Sequence, residues 1–352
     1  MKFRIALLTI VLAGVAPGAA VADRAADAPR AFFGISPQSE LTERDAEYMR
    51  AGGIGAVRWP LVWAGVQPVE GGPFSWRGFD RLVRTAAQQG LRVLPSLGGR
   101  RKGFPLGDER RGWTAFVRAA VRRYGPGGGF WSGRSIPYLP IRTWQVWNEP
   151  NFFYFAHPIA PRRYGRLVRL TSREVKAVAP RANVVLAGLF GQPKEPRRKG
   201  MAAKRFLGAL YKVPGLQRHF DGIALHPYAA DTPTLKRLVR GIRSVARKNG
   251  DAQVPLYISE MGWGSQNDPE VVAFEKGLRG QARELRRAYR FLLQQRRRLY
   301  IAGVYWFSWK DLDGSCSFCD SAGLFYAGAG FKPKPAWRVF LKFSRGRSRP
   351  RS

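Results

Sequence analysis

The stretch Ile141-Arg-Thr-Trp-Gln-Val-Trp-Asn-Glu-Pro150 reads as a short strand that runs straight into a polar turn. From Ile141 to Trp147 it is aromatic and β-branched with little alternation, the pattern of a strand covered on both faces. Asn148 and Glu149 close it, and Pro150 stops its extension. A helix follows over Pro161–Val178, opened by a proline at the first turn, where the missing N–H costs nothing. Strand, loop and helix in this order make one parallel βα unit, so the fold depends on how often the unit recurs.

It recurs in both directions. Upstream stand the apolar runs Ala31–Ser36, Ala56–Trp63 and Leu91–Leu97, each followed by a helical pattern (Glu40–Gly53, Trp76–Gln89, Asp108–Tyr124). Downstream come strands at Val184–Leu189, Ile223–His226, Leu256–Ser259 and Ile301–Phe307. Helices are expected over Ala202–Tyr211, Thr234–Lys248, within Glu270–Arg298, and over Pro335–Phe343. Eight such pairs in a chain of 352 residues fit an α/β fold, a (β/α)8 TIM barrel in a single domain over 31–345. An open doubly wound sheet would fit the alternation too, but no glycine-rich nucleotide fingerprint follows the first strand.

The ends read differently. Lys2 and Arg4, the apolar run Ile5–Ala16 and the small residues Ala20-Val21-Ala22 have the architecture of a signal peptide over 1–22. The apolar run is shorter than the roughly 20 residues that span a bilayer. A linker over 23–30 and a basic tail over 346–352 flank the domain. The expected location is therefore secreted or cell-envelope, with no stable membrane insertion after cleavage. In that compartment Cys316 and Cys319, the only cysteines, are expected to form a small loop disulfide. A zinc site would need more ligands than these and three histidines offer, and no metal or other cofactor is expected.

Sixty Lys and Arg against 24 Asp and Glu give a formal charge of +36. Such a field draws polyanions. The basic residues are scattered as doublets, however, and the aromatics gather at strand ends instead of interleaving with them, so a nucleic-acid partner is not expected.

In a TIM barrel the chemistry sits at the C-terminal ends of the strands. Two carboxylates stand there, Glu149 after the fourth strand and Glu260 after the seventh, in Tyr257-Ile-Ser-Glu-Met-Gly-Trp263. A carboxyl at the end of a buried strand is costly unless paired or used. Two on one cleft supply what glycoside cleavage needs, an acid for the leaving oxygen and an ionised partner for the anomeric carbon or a water. Arg58 can hold the partner ionised, and Asn148 can bond a sugar hydroxyl. Tyr228 can donate to the nucleophile, and Trp306 can floor the sugar. Trp63, His226 and Trp263 complete the expected substrate-binding set. A barrel that only binds glycan is the competing reading, against which the intact carboxylate pair speaks.

The motifs Trp147-Asn-Glu-Pro150 and Ile258-Ser-Glu-Met-Gly-Trp263 resemble those of the large clan of retaining glycoside hydrolases with (β/α)8 barrels. The segment Val57–Leu97 resembles the second and third strands of families 5 and 39. His226-Pro-Tyr228 and Tyr305-Trp-Phe-Ser308 resemble the clan's sixth and eighth. The likeness implies that Glu149 is the acid/base and Glu260 the nucleophile of a retaining double displacement on a poly- or oligosaccharide. Pro95-Ser-Leu-Gly98 replaces the histidine that many family 5 members carry at the third strand end, which tilts the likeness toward family 39. Two basic loops, Arg100-Arg-Lys102 and Arg197-Arg-Lys199, raise the further expectation of a positive rim suited to an anionic substrate.

Overall fold

The structure, a computed structural model, describes residues 28–100, 103–133, 135–193, 199–267, 273–312, 314 and 317–346. The signal segment, most of the linker, Cys316, the last six residues of the tail, and the basic-loop residues Arg101, Lys102, Arg197 and Arg198 lie outside them.

Eight parallel strands close into a barrel in chain order. They are β1 (Phe33–Ile35), β2 (Ala56–Val62), β3 (Arg92–Gly98), β4 (Thr143–Val146), β5 (Asn183–Phe190), β6 (Gly222–His226), β7 (Leu256–Met261) and β8 (Ile301–Trp306). The helices are α1 (Glu43–Ala51), α2 (Trp63–Val66), α3 (Arg77–Gln88), α4 (Arg110–Tyr124), α5 (Pro161–Val178), α6 (Ala203–Tyr211), α7 (Thr232–Lys248), α8 (Gly277–Gln294), α9 (Ser317–Ser321) and α10 (Pro335–Ser344). β1 pairs with β8, so no sheet edge is left unpaired. Among the described residues no helix is long and apolar enough to cross a membrane.

Local chemistry explains the boundaries. The first helix starts at Glu43, later than the pattern suggests, because Thr42 and Asp45 form a capping box. The seventh starts earlier, at Thr232, because Asp231 caps it by accepting from the Thr234 N–H. Strand β2 stops at Val62, one residue short of expectation, and Trp63 opens the four-residue α2 instead. That single residue matters, since it turns the indole of Trp63 outward into the helix layer against Trp113 and Phe116.

Candidate active site

The fourth strand delivers Glu149 through a strained turn. Trp147 and Glu149 adopt φ of 75° and 39°, the left-handed region that L-residues occupy only when their surroundings enforce it. Here the enforcement is visible. The Trp147 N–H donates to the Leu97 carbonyl at 2.9 Å, the Glu149 N–H donates to Gly188 at 3.2 Å, and the indole of Trp147 donates to the Phe155 carbonyl at 2.8 Å. Asn151 staples the next turn to the end of β5. Its amide donates to the carbonyls of Phe190 and Met201 and accepts from the Phe190 N–H.

Arg58, projecting from β2, organises the floor. Its guanidinium pairs with Glu260 and donates to Gln145 Oε1 at 3.0 Å and to Asn148 Oδ1 at 2.6 Å. Longer bonds of 3.4 Å reach the hydroxyls of Ser36 and Ser96. The planar fork thus fixes three side chains at once, which an ammonium could not do. Because Asn148 Oδ1 is engaged, its NH2 is the end left for a ligand. Tyr228 donates to the second oxygen of Glu260 at 2.8 Å, so both oxygens of that carboxylate hold donors.

The two glutamates differ in electrostatic setting. Glu149 is held well above the usual carboxylate range, first by burial and then by the negative charge of Glu260, with Arg58 a partial offset. His226 is fully buried and shifted the other way, well below the usual imidazole range, by burial and by Arg58. Its Nδ1 lies 2.7 Å from Glu149 Oε1 and 3.5 Å from Glu260 Oε2. With the ring neutral and its proton on Nδ1, the N–H faces both carboxyls and donates to Glu149 Oε1. Ser259 Oγ, 3.0 Å from Nε2, then donates to the ring. In this tautomer Nδ1–H occupies one oxygen of Glu149 and leaves its proton on the other.

Room for the imidazole comes from Gly188, where an added Cβ would stand 1.9 Å from His226 Nε2. Gly188→Ala is expected to push His226 off Glu149. The predicted cost is about 1–3 kcal/mol of stability from overpacking and about 10²-fold in kcat from lost alignment, read by thermal denaturation and steady-state rates. Arg58→Lys keeps the charge and loses the fork. About 10²-fold in kcat should go with it, while KM for a small substrate changes far less.

These groups open into a cavity of about 890 Å³ at the C-terminal face of the barrel. Phe152, Phe190, Tyr228, Phe274, Phe307 and Phe318 line it, together with the exposed Tyr154 and Phe155. Pro60, Val62, Gly98, Gly99 and Arg100 also line it. Of the sequence-predicted residues, Glu149, Glu260, Arg58, Asn148 and Tyr228 meet here. His226 touches Glu149 and not the cavity.

Three tryptophans do not meet the expectation of substrate contact. Trp63 is buried in the helix layer, its indole bonded to Gln67. Trp263 and Trp306 are buried against each other, their N–H groups donating to the carbonyls of Ala229 and Ala322. Phe307, one residue past Trp306, faces the cavity instead. The sequence reading also passed over Gln145 and Ser259. Both are polar residues inside apolar strands, which demands a partner and was the signal available.

One ligand-type atom from each of Glu149, His226 and Glu260 lies within 4.8 Å of the others, a spacing that alone would suit a metal ion. The guanidinium of Arg58 on Glu260, with Tyr228 on its other oxygen, already supplies that carboxylate with donors and repels a second cation. The donor set suits an acid–nucleophile pair better.

No protein-family model and no curated protein sequence matches the chain. Solved structures do, by fold. A family 39 glycoside hydrolase from the gut symbiont Bacteroides cellulosilyticus WH2 superposes with a TM-score of 0.64 at 21% identity, over 92% of this chain and 64% of that one. The GH39 enzyme from Xanthomonas axonopodis pv. citri gives 0.64 at 18%, over 90% and 67%. A monomeric beta-xylosidase from Caulobacter crescentus CB15 gives 0.62 at 17%, over 90% and 69%. The chain thus spans 64% of the length of the first of these relatives.

Proposed function

We propose that the protein is an exported glycoside hydrolase that cleaves O-glycosidic bonds of a poly- or oligosaccharide by a retaining double displacement. The observation that carries this reading is the pair of carboxyls at the cavity floor. One oxygen of Glu149 and one of Glu260 lie within 4.8 Å of each other, an approach that fits carboxyl groups roughly 5–5.5 Å apart, as in retaining enzymes, better than the 6.5–9.5 Å that leaves room for a water between them. Their environments differ as the two roles require.

In the first step Glu260 attacks the anomeric carbon as Glu149 gives its proton to the departing oxygen. The glycosidic C–O bond breaks and a glycosyl ester of Glu260 forms. Esterification removes the charge on Glu260, one of the two causes that hold Glu149 high. Glu149 therefore becomes more acidic once it has given up its proton, and can take one from the incoming water. Water then attacks the same carbon and Glu260 leaves as the carboxylate. The Asn148 NH2 is placed to bond a hydroxyl beside the reacting carbon, and Tyr228 steadies the nucleophile. The phenylalanine wall offers faces for sugar rings and keeps the site poor in water.

At the cavity floor the charge of Arg58 is matched by Glu260, which suits a neutral sugar there. Among the described residues the other cation lining the cavity is Arg100, which keeps its charge while donating to the carbonyls of Gln67 and Pro68. Export rests on the 1–22 segment, and the Cys316–Cys319 disulfide is proposed with it. Proton NMR of the first-formed sugar tests the mechanism. Product with the substrate's anomeric configuration is expected, and the opposite anomer would overturn retention.

A further inference from the structure

Away from the catalytic face, α8 and α10 pack side by side through Tyr289, Phe340 and Phe343. A groove of about 700 Å³ runs on the solvent side between them. One wall is a single face of α8, carrying Arg279, Arg283, Arg286, Arg287 and Arg290 at helical spacing; the other carries Arg338 and Lys342 of α10. Ala282 and Val339 form part of the floor. All seven cationic side chains are exposed.

This density is not the chain's general basicity. With 60 Lys and Arg to 24 Asp and Glu overall, seven cations would on average bring about three carboxylates. Among the described residues the groove lining has none. Glu284 lies nearest, buried, and bound to Thr232; it is shared by Arg283 at 3.6 Å and Arg287 at 3.1 Å. Arg279, Arg286, Arg290, Arg338 and Lys342 have no carboxylate partner among the described residues. The comparable cluster of Arg110, Arg111 and Arg118 contrasts with this, because Glu174 lines it and pairs with Arg118. Holding seven like charges along a groove is unfavourable unless an anion neutralises them.

We propose that this groove is a second glycan site, which holds a linear polyuronate, a polysaccharide with a carboxylate on successive sugars. The α8 row extends over about 16 Å, from 11 residues at 1.5 Å each, so the partner must carry repeated charge. Guanidinium forks match planar carboxylates in pairs of hydrogen bonds. Among the described residues no aromatic side chain lines the groove to stack on bases, as single-stranded nucleic acid would use. No exposed large apolar side chain among the described residues is present there to enter a bilayer. Bound there, the polymer would hold the enzyme on an acidic matrix while the catalytic cavity works elsewhere.

The test measures binding of the mature chain to polygalacturonate and to its fully methyl-esterified form, across a salt series. A poly-dT oligonucleotide and phosphatidylglycerol vesicles serve as rival ligands. The groove variant carries Arg279→Gln, Arg286→Gln, Arg290→Gln and Arg338→Gln. The control variant removes the same charge from the far side of the barrel, with Arg77→Gln, Arg84→Gln, Arg162→Gln and Arg163→Gln. Polygalacturonate should bind and the ester should not. The groove variant should bind about tenfold or more weakly, with a shallower salt dependence, and the control within about twofold of wild type. Arg338→Gln with Lys342→Gln repeats the test from the α10 wall alone, where about threefold weaker binding is expected. Equal losses in groove and control variants, equal binding of the ester, tighter binding of poly-dT or vesicles, or no binding at about 0.15 M salt would each overturn the site. Hydrolysis is not read, so failure here leaves the glycosidase reading intact.

Discussion

Glu260→Ala is expected to lower kcat at least about 10⁴-fold, roughly 5 kcal/mol of barrier at 1.36 kcal/mol per decade, with the fold retained. Arg58, Tyr228 and His226 all converge on this carboxylate, and none of them carries a group able to form the ester in its place. Removing the side chain leaves a small void beside a guanidinium, into which a small anion fits. Azide or formate should restore turnover on an aryl glycoside by attacking from the vacated side, giving, for azide, the glycosyl azide of inverted configuration. Rates and product configuration check both halves. Unchanged rates would remove Glu260 from the mechanism.

Glu149→Gln should act differently on different substrates. Loss of the acid is expected to cost about 10³-fold or more on a natural glycoside, within the range of general acid catalysis. The first step on a dinitrophenyl glycoside needs no proton and should be nearly spared. The pH profile carries the sharper prediction. Burial and the charge of Glu260 raise Glu149, so its active form is the protonated one and persists above the usual carboxylate range. Activity of the wild type on a natural glycoside should therefore fall as pH rises through the elevated pKa of Glu149. In the Gln variant that alkaline limb should vanish, since an amide has no proton to lose. An alkaline limb unchanged in the variant would assign it to another group.

The barrel could be read in the sequence because its strands are buried on both sides. A run such as Trp144-Gln-Val-Trp147 leaves no alternative to a covered strand, and the strand ends then locate Glu149 and Glu260 by topology alone. The tryptophans could not be sorted in the same way. Successive strand residues face opposite sides, so an error of one residue exchanges cavity for helix layer. Trp63 shows it, lying one residue past the end of β2, and so does Trp306, whose neighbour Phe307 takes the place expected of it. Gln145 and Ser259 depend on distant partners, Arg58 and His226, 87 and 33 residues away in the chain. Only the closed barrel brings those together. The charge was legible as an amount and not as a place, since the α8–α10 groove joins two helices that the sequence separates.

The central claim is that Glu260 forms a covalent bond with the sugar. Incubation with xylo-, gluco- and manno-configured 2-deoxy-2-fluoro aryl glycosides tests it most directly, because fluorine slows both oxocarbenium-like steps while a good leaving group speeds only the first, so the adduct accumulates. Intact mass should rise by one fluoroglycosyl unit, peptide mapping should place it on Glu260, and Glu260→Ala should acquire none. An adduct on another residue, or hydrolysis of the matching glycoside with no adduct at all, would contradict the account.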